Sequence, residues 1–259
     1  MPRFGNHQYP QVIPEPAEIT SGGPAPWSLL EPTQRRGLTL ELIQLRLREH
    51  GRHVEVASAP GVTGEMDAFN DATPRSPARR SAVLVALFEE GGETHLILTR
   101  RSFALRQHRG EIALPGGRSD AGETPVQTAL REAREEVGLA EADVTPVGWL
   151  NPLVSFASNS AIWPVVGFLA GRPALRADPS EVERVFTVSL AELAAEGAFL
   201  EERWRRDEPR PGADVEGFFP IYFFRVPGDL IWGATARVLT ELLCVVFGVA
   251  WPDAQRKWA

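Results

Sequence analysis

The sequence contains a single cysteine, Cys244. One thiol excludes an intrachain disulfide and also a zinc site that is built from several thiolates. A chain without disulfides suits a reducing compartment, so we expect a cytoplasmic protein. No apolar run follows Arg3 near the start of the sequence, and we therefore expect no signal peptide.

Long apolar runs and an excess of positive charge are also missing. The most apolar stretch, residues 242–251, has ten residues, whereas a membrane-spanning helix needs about 20. The 27 Lys and Arg residues against 34 Asp and Glu give a formal net charge of −7. Such a chain is not expected to bind nucleic acid or an anionic membrane through bulk charge. An anionic ligand would need a local basic patch.

The distribution of proline divides the chain. Ten of the 22 prolines lie in the first 80 residues, where the helical pattern at about 38–49 stands out. We predict an N-terminal extension over residues 1–78, a main domain over 79–250 and a C-terminal tail over 251–259. Apolar residues make up 43% of the chain, which is enough for a substantial core.

The main domain reads as alternating strands and helices. Residues 82–88 form a continuous apolar run that predicts a buried strand, and Glu89 to Glu93 predict a hairpin turn before a return strand at 95–99. This order favours an α/β layered domain with a mixed sheet. Further strands are predicted at 144–150, 162–169, 182–188 and 221–225, helices at 190–196 and 231–247, and a long loop at 203–220.

The helix predicted at 124–137 has both of its ends specified. Thr124 is a suitable N-cap, Pro125 fits the first helical position, and Gln127 completes a capping box. Gly138 fits the position just after the C-cap, where a left-handed conformation ends many helices. Its apolar stripe comprises Val126, Ala129, Leu130, Ala133 and Val137.

Three carboxylates, those of Glu132, Glu135 and Glu136, lie on the flank of that stripe. Like charges four positions apart destabilise an isolated helix by about 0.2–0.5 kcal/mol. The residues alone leave two interpretations open. The carboxylates form either a solvated face paired with Arg131 and Arg134, or ligands for a hard divalent cation such as Mg²⁺.

The sequence context of this helix carries a resemblance. From Gly117 the chain reads G-x5-E-x7-R-E-A-x-E-E-x-G-L, which resembles the Nudix box with Ala133 in place of a larger apolar residue. The resemblance implies a Nudix hydrolase with an α/β/α sandwich around a mixed β-sheet, in which the box forms a loop, a helix and a loop. Members cleave a nucleoside diphosphate that is linked to another group. The matching positions are Gly117, Glu123, Arg131, Glu132, Glu135, Glu136, Gly138 and Leu139.

The resemblance also assigns roles by position. Mg²⁺ or Mn²⁺ would be the cofactor, and catalysis would fall to Glu132, Glu136 and Arg131. Arg131 would orient a catalytic carboxylate, and Glu123 would support the loop or hold a further metal ion. Glycines let a backbone approach phosphate closely. The predicted metal ligands are Glu132, Glu135, Glu136 and Glu123, and the predicted glycine contacts to substrate are Gly116 and Gly117.

A basic segment precedes the box in this acidic chain. Arg100, Arg101, Arg106, His108 and Arg109 fall within ten residues. The guanidinium fork suits bidentate contacts to phosphate, so we predict that these four arginines bind substrate. A solubilising basic loop is the alternative. His108 is open to two interpretations, a phosphate or proton-transfer group and a solvated loop histidine.

Residues 97–117 resemble the motif L-L-T-x-R-S-x3-R-x3-G-x3-F-P-G-G of the coenzyme A pyrophosphatase branch of the Nudix family, with Ile97 and Leu114 as departures. This resemblance implies that CoA or acyl-CoA is cleaved to 3′,5′-ADP and 4′-phosphopantetheine or its acyl form. The matching residues are Leu98, Thr99, Arg101, Ser102, Arg106, Gly110, Pro115, Gly116 and Gly117.

Several alternatives stay open at this level. The substrate could be NADH, ADP-ribose or an oxidised nucleotide, and a Nudix-fold binding module without catalysis is a different class of protein. Glu181 and Glu183 are candidates for a base outside the box or for solvated residues. Residues 1–78 would cover a sheet edge, form a homodimer contact or line the substrate pocket.

Overall fold

The computed structural model describes residues 11–50, 52, 79–155, 158–205, 213–214 and 216–251. Most of the predicted boundary between extension and main domain, at 53–78, lies outside the described residues, as does nearly all of the predicted C-terminal tail. The α-helices are α1 (Leu40–Glu49), α2 (Pro125–Val137), α3 (Leu190–Leu193) and α4 (Gly233–Phe247), with 3₁₀ turns at Pro32–Arg35 and Glu141–Asp143.

Twelve strands occur within the described residues. They are β1 (Glu18–Ser21), β2 (Arg79–Glu90), β3 (Glu93–Arg101), β4 (Ile112–Ala113), β5 (Gly116–Arg118), β6 (Thr145–Trp149), β7 (Leu153–Ser155), β8 (Ser160–Phe168), β9 (Val182–Ser189), β10 (Phe199–Arg205), β11 (Phe218–Val226) and β12 (Asp229–Trp232).

The larger sheet is mixed, with β2 at its centre. β2 pairs in parallel with β8, from Arg79 opposite Ser160 to Leu87 opposite Phe168. It pairs antiparallel with β3 across the predicted hairpin turn. Over the described residues the strand order is β4-β3-β2-β8-β6, while β5 joins β2, β7 joins β8 and β9 joins β3. The predicted mixed sheet is therefore confirmed.

Alternate residues of β2 face two different apolar layers, because successive side chains of a strand point to opposite faces. Leu84 and Phe88 share a core with Ala133 of α2. Val85 and Leu87 belong to the second core, which includes the apolar residues of α1 and α4. Helices thus cover both faces of the mixed sheet, as the predicted α/β/α sandwich requires. The other members of the two cores include Ala82, Ala86, Ala129, Val137, Ile43, Leu47, Leu239, Leu242 and Leu243.

A second sheet, which was not predicted, lies beside this sandwich. Its described strands run antiparallel in the order β1-β10-β11-β12. The predicted loop at 203–220 is wrong at both ends, since Arg203 and Trp204 belong to β10 and Phe218 begins β11; residues 206–212 lie outside the described residues. Trp204 is 1% exposed, so this part of the predicted loop is a strand that packs into the protein.

The N-terminal residues contribute to the same core. β1 pairs with β10 from Glu18 opposite Arg205 to Ser21 opposite Glu202. Trp27 is buried, and its ring stacks at 6.2 Å from that of Phe224 in β11. The described part of the predicted extension therefore packs onto the second sheet and α4, and it covers the sheet edge at β10.

The last helix begins later than predicted. Ile231 and Trp232 pair with β11, so α4 starts only at Gly233. It is buried on nearly all sides, since β11, β12 and α1 all pack against it. Among the described residues, no helix is both long enough and apolar enough to span a bilayer.

Candidate active site

The helix α2 begins and ends as its sequence predicts. The Thr124 hydroxyl accepts from the backbone N–H of Gln127, and the Gln127 side chain accepts from the N–H of Thr124. Gly138 adopts a left-handed conformation with φ 69° and donates to carbonyls of the last turn. These caps fix the rotation of α2, so its apolar stripe faces the sheet and its carboxylates lie at the rim.

The loop before α2 runs in close contact with both the sheet and the helix. A Cβ atom at Gly116 would meet the Ala82 carbonyl oxygen at 2.4 Å, and one at Gly117 would meet the Glu132 carboxylate at 2.5 Å. Because a Cβ atom cannot fit at such distances, only glycine allows this approach. The two glycines therefore bring backbone against the carboxylates of α2.

Arg131 is the centre of a network of carboxylates. Its Nε donates to Glu123 Oε1 at 2.7 Å, and its Nη1 donates to Glu132 Oε1 at 2.9 Å and Glu135 Oε2 at 3.0 Å. Its Nη2 donates to the Arg118 carbonyl at 2.8 Å, which ties the loop to the helix. This geometry matches the predicted orienting role of Arg131.

Glu123 lies at the start of α2 and has its oxygens fully engaged. It accepts from Arg131, from the backbone N–H of Asp120 at 2.8 Å and from the Thr128 hydroxyl at 2.9 Å. The hydrogen bond from Arg131 is the main reason that the Glu123 pKa falls to about 2. Of its two predicted roles, these contacts match support of the loop.

Glu136 is the most buried carboxylate of the box, with a side chain that is 4% exposed. Its Oε2 accepts from the Gly116 N–H at 3.1 Å, and its Oε1 lies 3.7 Å from Arg101 Nη1. Burial raises the Glu136 pKa to about 7, and the negative charges of Glu132 and Glu181 act in the same direction. A buried carboxylate with so few donors is poised to accept a cation.

Glu132 is partly buried, and burial raises its pKa although Arg131 opposes the shift. Glu135 and Glu181 also raise the Glu132 pKa through their charges. The fold therefore brings Glu181, from the turn before β9, close to the box carboxylates. Its neighbour Glu183 lies within β9 and is exposed.

A divalent cation fits the chemistry of this carboxylate set. Its donors are oxygens, without histidine or cysteine, and Mg²⁺ and Mn²⁺ prefer such ligands. In the part of the chain that the structure describes, no three acidic, histidine or cysteine side chains converge as a complete metal site, since Arg131 engages Glu132 and Glu135. Burial is the main cause of the raised pKa of Glu132 and Glu136, and the charges of neighbouring carboxylates add to it; a bound cation would favour the charged form of both groups.

The predicted basic residues separate into three groups. Arg101 lines a cavity beside Glu136. Arg100 points elsewhere, because it forms an ion pair with the buried Asp229, which also binds Arg184. Arg106 and Arg109 are exposed in the loop after β3 and are not among the residues that line the cavity.

The cavity has a volume of about 490 Å³. Arg101, Gly116 and Gly117 form its polar end, because each of them lies against Glu132 or Glu136. The rest of the lining includes an aromatic and apolar set, here called the wall, together with several hydroxyl groups. The wall residues are Phe219, Ile221, Tyr222, Trp232 and Val238, and the hydroxyls belong to Ser155, Ser158, Ser160 and Thr235.

Sequence reasoning missed this wall. Trp232, at the end of β12, lines the cavity. Pro14 also lines the cavity, so the N-terminal residues reach the site. Residues 231–237 resemble a later segment of the coenzyme A pyrophosphatase branch, and that resemblance was the available signal. Trp251 does pack on the last helix, 4.9 Å beneath the Arg237 guanidinium.

The sequence matches a known protein family and resembles individual members of it. A family model described as the NUDIX domain matches residues 78–209. A protein of Photorhabdus laumondii, named as the uncharacterized Nudix hydrolase NudL, is 36% identical over 165 residues, covering 63% of this chain and 83% of the relative. Nudix hydrolase 15, mitochondrial, of Arabidopsis thaliana is 34% identical over 200 residues, covering 74% of this chain and 67% of the relative.

A solved structure resembles part of the chain. The Nudix hydrolase RenU of M. smegmatis is 24% identical and aligns with a TM-score of 0.40, covering 45% of this chain and 74% of that one. The NUDIX match ends at residue 209, so β11, β12 and α4, which supply the aromatic wall, lie beyond it.

Proposed function

The chain belongs to the Nudix hydrolase family, and on that premise we propose that it hydrolyses the pyrophosphate bond of coenzyme A or an acyl-CoA. Members of the family act on nucleoside diphosphate derivatives and generally use a divalent ion such as Mg²⁺ or Mn²⁺. The products would be 3′,5′-ADP and 4′-phosphopantetheine or its acyl form.

The observation that carries the proposal is the two-sided cavity. Its polar end, at Arg101 and the two glycines, suits a diphosphate. Its apolar wall with hydroxyls alongside suits the pantetheine arm, which combines methyl groups with two amides. The resemblance of residues 97–117 to the coenzyme A motif supports the same substrate.

We assign the metal to Glu132, Glu135 and Glu136. When bound, a divalent ion neutralises phosphate oxygens and makes water a better nucleophile. Arg131 orients these carboxylates and carries positive charge among them. The Gly116 N–H holds Glu136 in place, and Arg101 extends from Glu136 to the cavity, where it contacts a phosphate oxygen.

The reaction itself consumes one water molecule. The water oxygen forms a bond to one phosphorus, and the bond from that phosphorus to the bridging oxygen breaks. The bridging oxygen leaves with the other phosphate, and a carboxylate of the box, Glu132 or Glu136, accepts the proton of the attacking water. Arg100 takes no part in this scheme because Asp229 engages it. Arg106 and Arg109 remain predicted substrate contacts.

A substrate panel tests the proposal. The purified chain is incubated with CoA, acetyl-CoA, NADH, ADP-ribose and nucleoside triphosphates, with Mg²⁺, with Mn²⁺ or with EDTA, and the products are separated by chromatography. We expect 3′,5′-ADP from CoA or acetyl-CoA only when metal is present. If CoA persists while another diphosphate is cleaved, the substrate assignment is wrong and the family chemistry stands. If no diphosphate is cleaved, the chain is a binding module.

A further inference from the structure

His108 has a backbone conformation that side-chain-bearing residues rarely adopt. Its φ is 57°, and within the described ranges Asn159 is the other non-glycine residue with a positive φ. Asparagine and histidine are enriched in the left-handed region relative to other side-chain-bearing residues, although the conformation is uncommon for both. A residue held in such a conformation points to a function when the surrounding structure enforces it.

The loop that contains His108 is enforced at its base. The Arg101 N–H donates to the Glu111 carbonyl at 3.0 Å, and the Gly110 N–H donates to the Arg101 carbonyl at 3.1 Å. A Cβ atom at Gly110 would meet the Phe103 ring at 2.4 Å, so the loop closes tightly at that point. Together these contacts hold His108 next to Arg101 rather than out in solvent.

The imidazole of His108 is oriented by a carboxylate. Its Nδ1 lies 3.0 Å from Glu111 Oε2, and the histidine side chain is 33% exposed. Because Nδ1 is engaged, Nε2 is the ring nitrogen that is left for a ligand. His108 and Glu111 both line the cavity that also contains Arg101 and Gly116. The ring therefore borders the same polar end at which we place the diphosphate.

The charged groups that face the ring are Glu111 and Arg101. The hydrogen bond to Glu111 raises the His108 pKa, burial lowers it, and the charge of Arg101 lowers it further, with a net upward shift. A histidine with a raised pKa carries its positive charge below that pKa and loses it as the pH rises through it. Below its pKa, His108 thus adds a second cation to the cavity beside Arg101.

We propose that His108 is a substrate-binding residue, whose Nε2–H donates to a phosphate oxygen of the diphosphate while Glu111 holds the ring through Nδ1. The proposal rests on the proposed function only for the presence of a diphosphate at this end of the cavity. It does not depend on which group is attached.

The kinetic test uses the full chain with the diphosphate that the substrate panel shows to be cleaved. H108N keeps a side chain that tolerates a positive φ but carries no charge. We expect its KM to rise about tenfold at pH 6.5, with kcat changed less than twofold, and the increase of KM with pH to disappear. H50N is the matched control, since His50 is exposed at the end of α1 and lies outside the cavity. An unchanged KM and pH profile in H108N would overturn the proposal.

A second variant separates charge from structure. E111Q removes the carboxylate that raises the His108 pKa, so we expect the rise of KM to begin at lower pH while KM at the lowest pH stays near the wild-type value. A purely structural pair would give a pH-independent loss in both variants. That result would overturn the proposal even if H108N were impaired.

Imidazole NMR tests the contact without turnover. The Cε1–H resonance of His108, identified by its absence in H108N, is followed on addition of inorganic pyrophosphate. We expect the His108 pKa to increase on binding and the His50 resonance to stay in place. If no diphosphate is cleaved in the panel, the proposed function fails, and this titration still decides whether His108 binds phosphate. If the His108 resonance does not shift at pyrophosphate concentrations that raise the Tm of the chain, the contact is refuted.

Discussion

Two groups of residues at the cavity differ in kind. The charged side comprises Glu132, Glu136 and Arg131 of α2, which are not among the lining residues but lie next to the cavity, since Gly116 lines it and donates to Glu136. The other side is the wall, where β11, β12 and the start of α4 present apolar and aromatic surface, with Ile221 and Trp232 among its residues. The first side makes directional, charged contacts, and the second makes contacts through area and shape.

From this difference we expect the two sides to have separate roles in the proposed reaction. Every diphosphate carries the same bridging group, so the charged side can act on any of them. The group attached to that diphosphate varies, and in the proposed complex this group would contact the apolar wall. A change on the charged side should therefore impair all substrates alike, whereas a change in the wall should alter the preference among them.

The largest effect is expected from E136Q. Glutamine keeps the size of the side chain and the contact with Gly116, but it cannot neutralise a cation. We expect kcat to fall about 1000-fold for every cleaved diphosphate, which corresponds to about 4 kcal/mol of transition-state stabilisation. Steady-state kinetics with at least two substrates measure it. E141Q, at an exposed position after α2, serves as the control. A loss confined to one substrate would contradict the separate roles of the two sides.

The second effect concerns the connection between the two sides. The buried Asp229 of β12 binds Arg100 of β3 and Arg184 of β9, so it joins the wall to the mixed sheet. D229N retains the shape and removes the charge. We expect a loss of about 2 kcal/mol of unfolding free energy and a Tm about 5 °C lower.

The exposed pair between Glu90 and Arg172 provides the comparison for D229N. E90Q should change the free energy of unfolding by less than about 0.5 kcal/mol. Chemical denaturation and calorimetry of both variants give the two values. Equal and small losses would mean that Asp229 does not hold the wall in place.

The smallest effect is expected from I221A, which removes apolar area from the wall. We expect KM for CoA to rise about fivefold, close to 1 kcal/mol, while the inhibition constant of inorganic pyrophosphate stays the same. Pyrophosphate carries no attached group that could contact the wall, so its inhibition constant depends on the charged side alone. L45A, at a half-exposed position of α1, is the control. An equal change in both constants would show that the wall acts through the charged side.

The charged side could be predicted because the residues that form it are close together in the sequence. The caps of α2, the spacing of its carboxylates and the two glycines all lie within one short stretch, and each has a direct physical reading. The predicted mixed sheet is confirmed for a similar reason, since the apolar run of β2 indicates burial on both faces. The roles of the carboxylates in catalysis and metal binding remain predictions.

The wall could not be predicted because the residues that form and support it come from segments that are far apart in the sequence. β10 contains Glu201 and Glu202, which are both buried, and charged residues are normally evidence for a loop. Trp204 Nε1 donates to Glu202 Oε2 at 2.8 Å, which provides a partner for that buried carboxylate. β1 has Ile19 as its apolar residue and becomes a strand only because β10 lies beside it. The ion pair of Arg100 could not be predicted because its partner, Asp229, is far along the chain.

The late position of the wall in the chain has a consequence for biosynthesis. A nascent chain that has just passed Gly138 already contains every carboxylate of the box, yet β11, β12 and α4 have not been made. Translation proceeds at about 5–20 residues per second, so the charged half exists for seconds before the cavity can close. If the proposed roles hold, the surface that selects the substrate is therefore complete only when the last helix leaves the ribosome. A chain stalled before that point would contain the carboxylates of the box without the wall.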